Sequence, residues 1–161
     1  MIPPVSCCTP LNWNLPLAMC HSVSLQNGLR VLVVDSDPDS CELLTALFAQ
    51  YGIETTIATC AREAIEQIQQ AQPDLLISEI FLPDEDGYSL IRQVKILETT
   101  LHVQIPAIAL TTVFSEERDR IYTSAAGFCR YLLKPFDIDT LMTTIACLTG
   151  KAQYRAANAC C

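Results

Sequence analysis

Five short apolar runs punctuate the chain, and a stretch of helical period follows each of them. Arg30–Val34, Ile53–Ala58, the LLISEI run beginning at Leu75, a run from Gln104 or Ile105 to Leu110, and Cys129–Leu133 are of strand length and rich in Val, Ile and Leu. Runs that are nearly continuous rather than alternating predict strands covered on both faces. Between them the spacing predicts helices from Asp37 to about Tyr51, from Ala61 to about Gln70, from Tyr88 to about Leu97, from Ser115 to about Ala126, and from Asp137 to about Leu148. Asp37 ahead of Pro38 caps the first helix, Ser115 caps the fourth, and Gly52, Gly127 and Gly150 stop the first, fourth and fifth. Leu43, Leu44, Leu47 and Phe48 in the first helix, Ala64, Ile65 and Ile68 in the second, and Leu90, Ile91, Val94 and Leu97 in the third recur at helical spacing and are assigned to the core. Strands alternating with helices through short loops imply an α/β fold, a parallel sheet with helices on both faces.

What each strand delivers at its carboxyl end carries the functional argument, because open α/β sheets place their ligand crevice there. Asp35-Ser36-Asp37 follows the first strand, Glu79 ends the third ahead of the acidic turn PDEDG, Thr111-Thr112 follows the fourth, and Lys134-Pro135 the fifth. This ordered set resembles the receiver domain of two-component response regulators, over roughly Leu29 to Leu148. The resemblance implies a doubly wound, flavodoxin-like five-stranded sheet in the order 2-1-3-4-5. It also implies an acidic pair after the first strand that helps hold Mg²⁺, an acceptor Asp after the third, a Ser or Thr after the fourth that reports phosphorylation, and a cis Lys-Pro after the fifth. On this chain the switch and phosphoryl-pocket positions fall on Thr111, Lys134 and Tyr131, the last being the aromatic that responds to the switch.

Two positions depart from the family pattern. The acceptor falls on Glu79, whose additional methylene advances the carboxylate by about 1 Å, a misplacement that costs on the order of 10²-fold in rate. The second metal acid falls on Ser36, leaving Asp35 and Glu79 as anionic ligands and weakening Mg²⁺, which binds through carboxylates and waters. The expected molecule is therefore a stand-alone pseudo-receiver in phosphorelay signalling that acts by protein–protein interaction, without turnover. One alternative is a true receiver phosphorylated on Glu79 or on nearby Asp84 or Asp86. Another is a haloacid-dehalogenase-like phosphatase, with Asp35 as nucleophile and Asp37 as acid-base. That reading leaves PDEDG and Lys-Pro-Phe unexplained.

Composition narrows the partners. A net charge of −8 with only 10 Lys and Arg offers no basic surface for a polyanion, so no nucleic acid is expected. No apolar span of about 18 residues predicts a membrane helix. Nine cysteines are an odd count without a C-x-x-C pair, which reads as reduced thiols in a cytoplasmic protein; Cys41, Cys60, Cys129 and Cys147 are assigned to the core. Residues 1–28 hold several prolines and no Lys or Arg and are expected to form a disordered arm in which Met19 is a candidate start. Residues 29–149 form the receiver-like domain and 150–161 a tail. The resemblance places the partner surface on the 115–149 face, for a histidine kinase, a downstream effector or a second copy. Glu116 to Arg120 crowd its helix with mixed charge.

Overall fold

The computed structural model describes Leu25, residues 28–112 and residues 118–149. The arm (apart from Leu25 and Gly28), the Ser115 cap, the mixed-charge run's side chains and the tail lie outside the described residues. Strands β1 (Arg30–Val34), β2 (Glu54–Ala58), β3 (Leu75–Glu79), β4 (Ala107–Thr111) and β5 (Arg130–Leu133) alternate with helices α1 (Pro38–Gln50), α2 (Ala61–Ala71), α3 (Gly87–Leu101), α4 (Arg118–Ala126) and α5 (Ile138–Leu148). All strand pairings are parallel, in the order β2-β1-β3-β4-β5. This is the doubly wound sheet that the resemblance implied.

The period of two along each strand divides the core into two compartments. Val31 and Val33, Leu75 and Ile77, and Ile108 and Leu110 pack on one face with Leu44, Leu47 and Phe48 of α1 and Leu141, Met142, Ile145 and Leu148 of α5. Leu32, Val34, Leu76, Ala107 and Ala109 pack on the other with Ala64 and Ile68 of α2 and Leu90, Ile91 and Val94 of α3. Leu75, Leu76 and Ile77 are all buried, each contributing about 1.5–3 kcal/mol relative to exposure. At the sheet's amino edge Arg30 closes the α2 turn. Its guanidinium donates to the Ala71 and Gln72 carbonyls at 2.7 Å each, and its backbone exchanges bonds with Asp74.

Several sequence expectations shift. Leu43 is 58% exposed, since a helix lying on one side of a sheet buries a stripe too narrow for both Leu43 and Leu44. Ile65 and Leu97 lie at the margin of their compartment. Cys41 and Cys129 are buried as expected, whereas Cys60 is half-buried at the start of α2 and Cys147 is exposed on α5. β4 begins at Ala107, because Pro106 has no N–H to contribute to the ladder. Helix α3 runs one turn beyond Leu97, ending where His102 takes a left-handed φ of 54°.

Candidate functional site

The site is built from the carboxyl ends of β1, β3 and β5. Strand alternation puts Glu79 in phase with Leu75 and Ile77, and the residues just beyond β1 and β5, Asp35 and Lys134, continue the phase of Val31 and Val33 and of Leu132. Lys134 Nζ lies 2.6 Å from Asp35 Oδ2 and 3.0 Å from Glu79 Oε2, and 3.4 Å from Ser40 Oγ. The three charged side chains are 17% (Lys134), 4% (Asp35) and 9% (Glu79) exposed, so the cluster is largely withdrawn from water.

The other two carboxylate oxygens are held by backbone. Asp35 Oδ1 accepts from Asp37 N–H at 2.9 Å, while Glu79 Oε1 accepts from Ile80 N–H at 2.7 Å and Phe81 N–H at 3.3 Å. Burial disfavours the Lys134 charge, but the hydrogen bonds the ammonium donates to Asp35 and Glu79, with their negative charges, outweigh it and raise the ammonium above the ordinary lysine range. The Lys134-Pro135 bond is cis, as the resemblance implied.

Thr111 and Tyr131 belong to the opposite phase. Thr111 alternates with Ile108 and Leu110, and Tyr131 packs against the compartment under α2 and α3. Thr111 is fully buried and joins the cluster through its carbonyl, which accepts from Lys134 N–H at 2.8 Å. Asp35, Glu79 and Lys134 therefore share one phase, and Thr111, one step beyond Leu110 at the end of β4, takes the other.

The acidic residues around the cluster prove to be helix caps. Asp37 accepts from Asp39 N–H and Ser40 Oγ at the start of α1, and Asp86 accepts from Ser89 N–H at the start of α3. Asp84 reaches back to α2, accepting from Ala61 N–H and Arg62 N–H at 3.0 Å each. Desolvation opposes its ionisation, but the backbone donors of Ala61, Arg62 and Glu85, with its own, prevail and bring its carboxyl down to about 2. Sequence reading missed this clamp and the Ser40 contact. The signal available was the start of α2, where Cys60 makes no side-chain cap bond and the orphan N–H groups need an acceptor from elsewhere. Gly87 closes the same loop. A Cβ there would lie 2.7 Å from the Glu79 carbonyl oxygen and 2.9 Å from Ile80 Cα, so only glycine lets α3 start against the end of β3.

These features carry a family assignment. Residues 31–146 match the response regulator receiver domain. The chain belongs to that family. A receiver domain of this kind serves two-component signalling, and the relatives are consistent with it. An uncharacterised 14.6 kDa protein from the sodA1 3′ region of Leptolyngbya boryana is 39% identical over 109 residues, covering 68% of this chain and 81% of that protein. Protein PilH of Pseudomonas aeruginosa is 33% identical over 123 residues, covering 75% and 98%. The transcriptional regulatory protein ZraR of Escherichia coli is 29% identical, over 74% of this chain but only 26% of its own length. A putative response regulator from Chloroflexus aurantiacus superposes with a TM-score of 0.69 at 30% identity, covering 77% of this chain and 99% of that one. The Francisella response regulator 1452 receiver domain gives 0.68 at 28%, covering 78% and 100%.

Receiver domains typically bind Mg²⁺ at this position, and the donor set here does not fit it. Ser36 is exposed and neutral, and Asp35 and Glu79 are the two carboxylates of the cluster, each already paired with Lys134. Among the described residues no group of three or more His, Cys, Asp or Glu is disposed to hold a metal ion. No described helix is long and apolar enough to cross a membrane.

Proposed function

We propose that this chain is a pseudo-receiver: a receiver-like domain of phosphorelay signalling in which Glu79 stands in place of the phosphoacceptor Asp, and which acts by binding other proteins rather than by turnover. The observation that carries this reading is the occupancy of the Glu79 carboxylate. Its two oxygens already take the Lys134 ammonium and the Ile80 and Phe81 amides, donors of the kind that would otherwise stabilise an incoming phosphoryl group. A side chain that satisfies these donors itself is a poor nucleophile toward an acyl phosphate, because attack requires giving up buried hydrogen bonds. The nearby acids do not offer an easier route, since Asp84 and Asp86 are engaged at helix starts. Asp37, the acid-base of the phosphatase alternative, is likewise engaged as a cap.

Thr111 and Tyr131 are then the positions through which the pocket is read, and the 115–149 face is the partner surface, for a histidine kinase, an effector or a second copy in the cytoplasm. Exposed Tyr122, Leu133 and Ile138 support that face, being large apolar side chains on α4, β5 and the start of α5. Incubation with acetyl phosphate and Mg²⁺, followed by intact mass spectrometry, tests the reading. Wild type is expected to gain no phosphoryl mass, and Ser36→Asp/Glu79→Asp, which returns both acids, is expected to gain one. A stable single phosphoryl addition on wild type would sink the proposal.

A further inference from the structure

The site's electrostatics extend the proposed reading in a direction that does not depend on phosphorylation. We infer that Lys134 is the resident counter-ion of this pocket, so that its ammonium and a divalent cation compete for the same two carboxylates and the native chain dispenses with metal.

A divalent cation of the Mg²⁺ type requires oxygen ligands at about 2.1 Å in near-octahedral array. A cation bridging Asp35 and Glu79 would draw on Asp35 Oδ2 and Glu79 Oε2, the oxygens that face each other across Lys134. The ammonium is already 2.6 Å and 3.0 Å from those atoms, so both cations cannot hold the bridge. The remaining oxygens turn away toward the backbone N–H groups of Asp37, Ile80 and Phe81. Moving either carboxylate outward to meet a metal would strip those amides of their acceptors.

Charge balance points the same way. Two carboxylates against one ammonium leave a single net negative charge in a site with little access to water, and Ser36 adds none. A divalent ion added beside Lys134 would invert the local charge and set two cations against each other. Ser40 Oγ at 3.4 Å gives the ammonium a third oxygen neighbour, which suits a tetrahedral three-donor head.

The competition predicts a reversal on removing the lysine. In Lys134→Met the two carboxylates face each other without a cation, and a metal becomes the available replacement. Thermal unfolding and amide chemical shifts, followed on the full chain through a titration with MgCl₂ and with NaCl at matched ionic strength, read this directly. Wild type is expected to keep its midpoint and its shifts at Asp35, Glu79 and Ile80 in millimolar Mg²⁺ beyond the NaCl control. Lys134→Met is expected to gain a saturable, Mg²⁺-specific rise in midpoint, or to fold only when Mg²⁺ is present. Saturable Mg²⁺ shifts in wild type overturn the proposal, as does a folded Lys134→Met indifferent to Mg²⁺. Should Lys134→Met stay unfolded throughout, Ser36→Asp with Lys134 intact decides: Mg²⁺ is expected either to stay excluded by the ammonium or to bind with a saturable shift of the Lys134 side-chain signals as the ammonium is displaced, and Mg²⁺ bound with those signals unmoved overturns the proposal. A wild type that binds Mg²⁺ yet accepts no phosphoryl group removes the counter-ion role alone. One that is phosphorylated removes the pseudo-receiver reading.

Discussion

Replacing Lys134 by Met keeps much of the volume of the side chain and removes its charge together with the N–H donors that bind Asp35, Glu79 and Ser40. The consequence follows from what surrounds it: carboxylates that are 4% and 9% exposed and depend on one ammonium for compensation. Were this a surface ion pair, its loss would cost no more than about 1 kcal/mol. Because the group is withdrawn from water, deleting one partner strands buried charge, and the expected cost is about 3–5 kcal/mol. Against a total stability of about 5–15 kcal/mol for a domain, that is a large fraction. With a urea slope of about 2 kcal/mol per molar, it moves the denaturation midpoint down by about 2 M.

Glu79→Gln alone keeps an oxygen acceptor for Ile80 and leaves the Lys134–Asp35 pair in place, so it is expected to cost about 1.5–3 kcal/mol, the loss of one hydrogen bond to a charged group. The double variant Lys134→Met/Glu79→Gln is then less destabilised than the sum of the two by about 1–2 kcal/mol, since only one buried carboxylate is stranded. Urea unfolding of all four proteins at neutral pH measures this cycle. The raised Lys134 ionisation adds a pH signature. Its stabilisation is complete below the unfolded lysine value of 10.5 and is lost as pH climbs through the higher folded value, so wild type and Lys134→Met converge only in strong alkali. A loss below about 1 kcal/mol for Lys134→Met, or strict additivity in the cycle, would refute the idea that the three groups form one buried unit.

Other perturbations test the surrounding frame. Asp84→Ala should cost about 1 kcal/mol as a lost cap, and because the folded carboxyl titrates at about 2 against 3.8 when free, its contribution stands above the unfolded value and vanishes as pH falls through about 2; acid-dependent unfolding compares the two proteins. Gly87→Ala forces a Cβ into the backbone of Glu79 and Ile80 and is expected to cost about 1–3 kcal/mol in a chemical denaturation series, with no loss arguing that the loop relaxes freely. Leu43→Ser should fall within about 0.5 kcal/mol of wild type, whereas Leu44→Ala one position along should cost about 2–5 kcal/mol.

The strand runs were legible because a strand buried on both faces has little choice but to be apolar throughout, and the order of polar residues at their ends gave Asp35, Glu79 and Lys134. What lay beyond reach depended on phase and on distant pairing. Thr111 sits beside Leu110, and nothing in the one-dimensional pattern says which of two adjacent residues faces which layer once the strand is apolar on both. The exposure of Leu43 turns on the exact azimuth of α1 over the sheet, a tertiary quantity. Asp84 looked like one acid in a turn, yet its ligands are 22 and 23 residues away, and the need they meet is visible only as the want of a good cap at Cys60.

The sheet's division of the interior has an effect on how such a domain can change over generations. Leu76 and Ile77 are neighbours in the polymer but lie in separate compartments, so substitutions at the two should combine without much interplay when their partners are not shared. The charged trio hangs from the layer shared with α1 and α5, while Thr111 and Tyr131 are oriented toward the layer shared with α2 and α3. Selection can therefore remodel the second layer, and with it what Tyr131 presents to a partner, while the carboxylates on the far side keep their company unchanged.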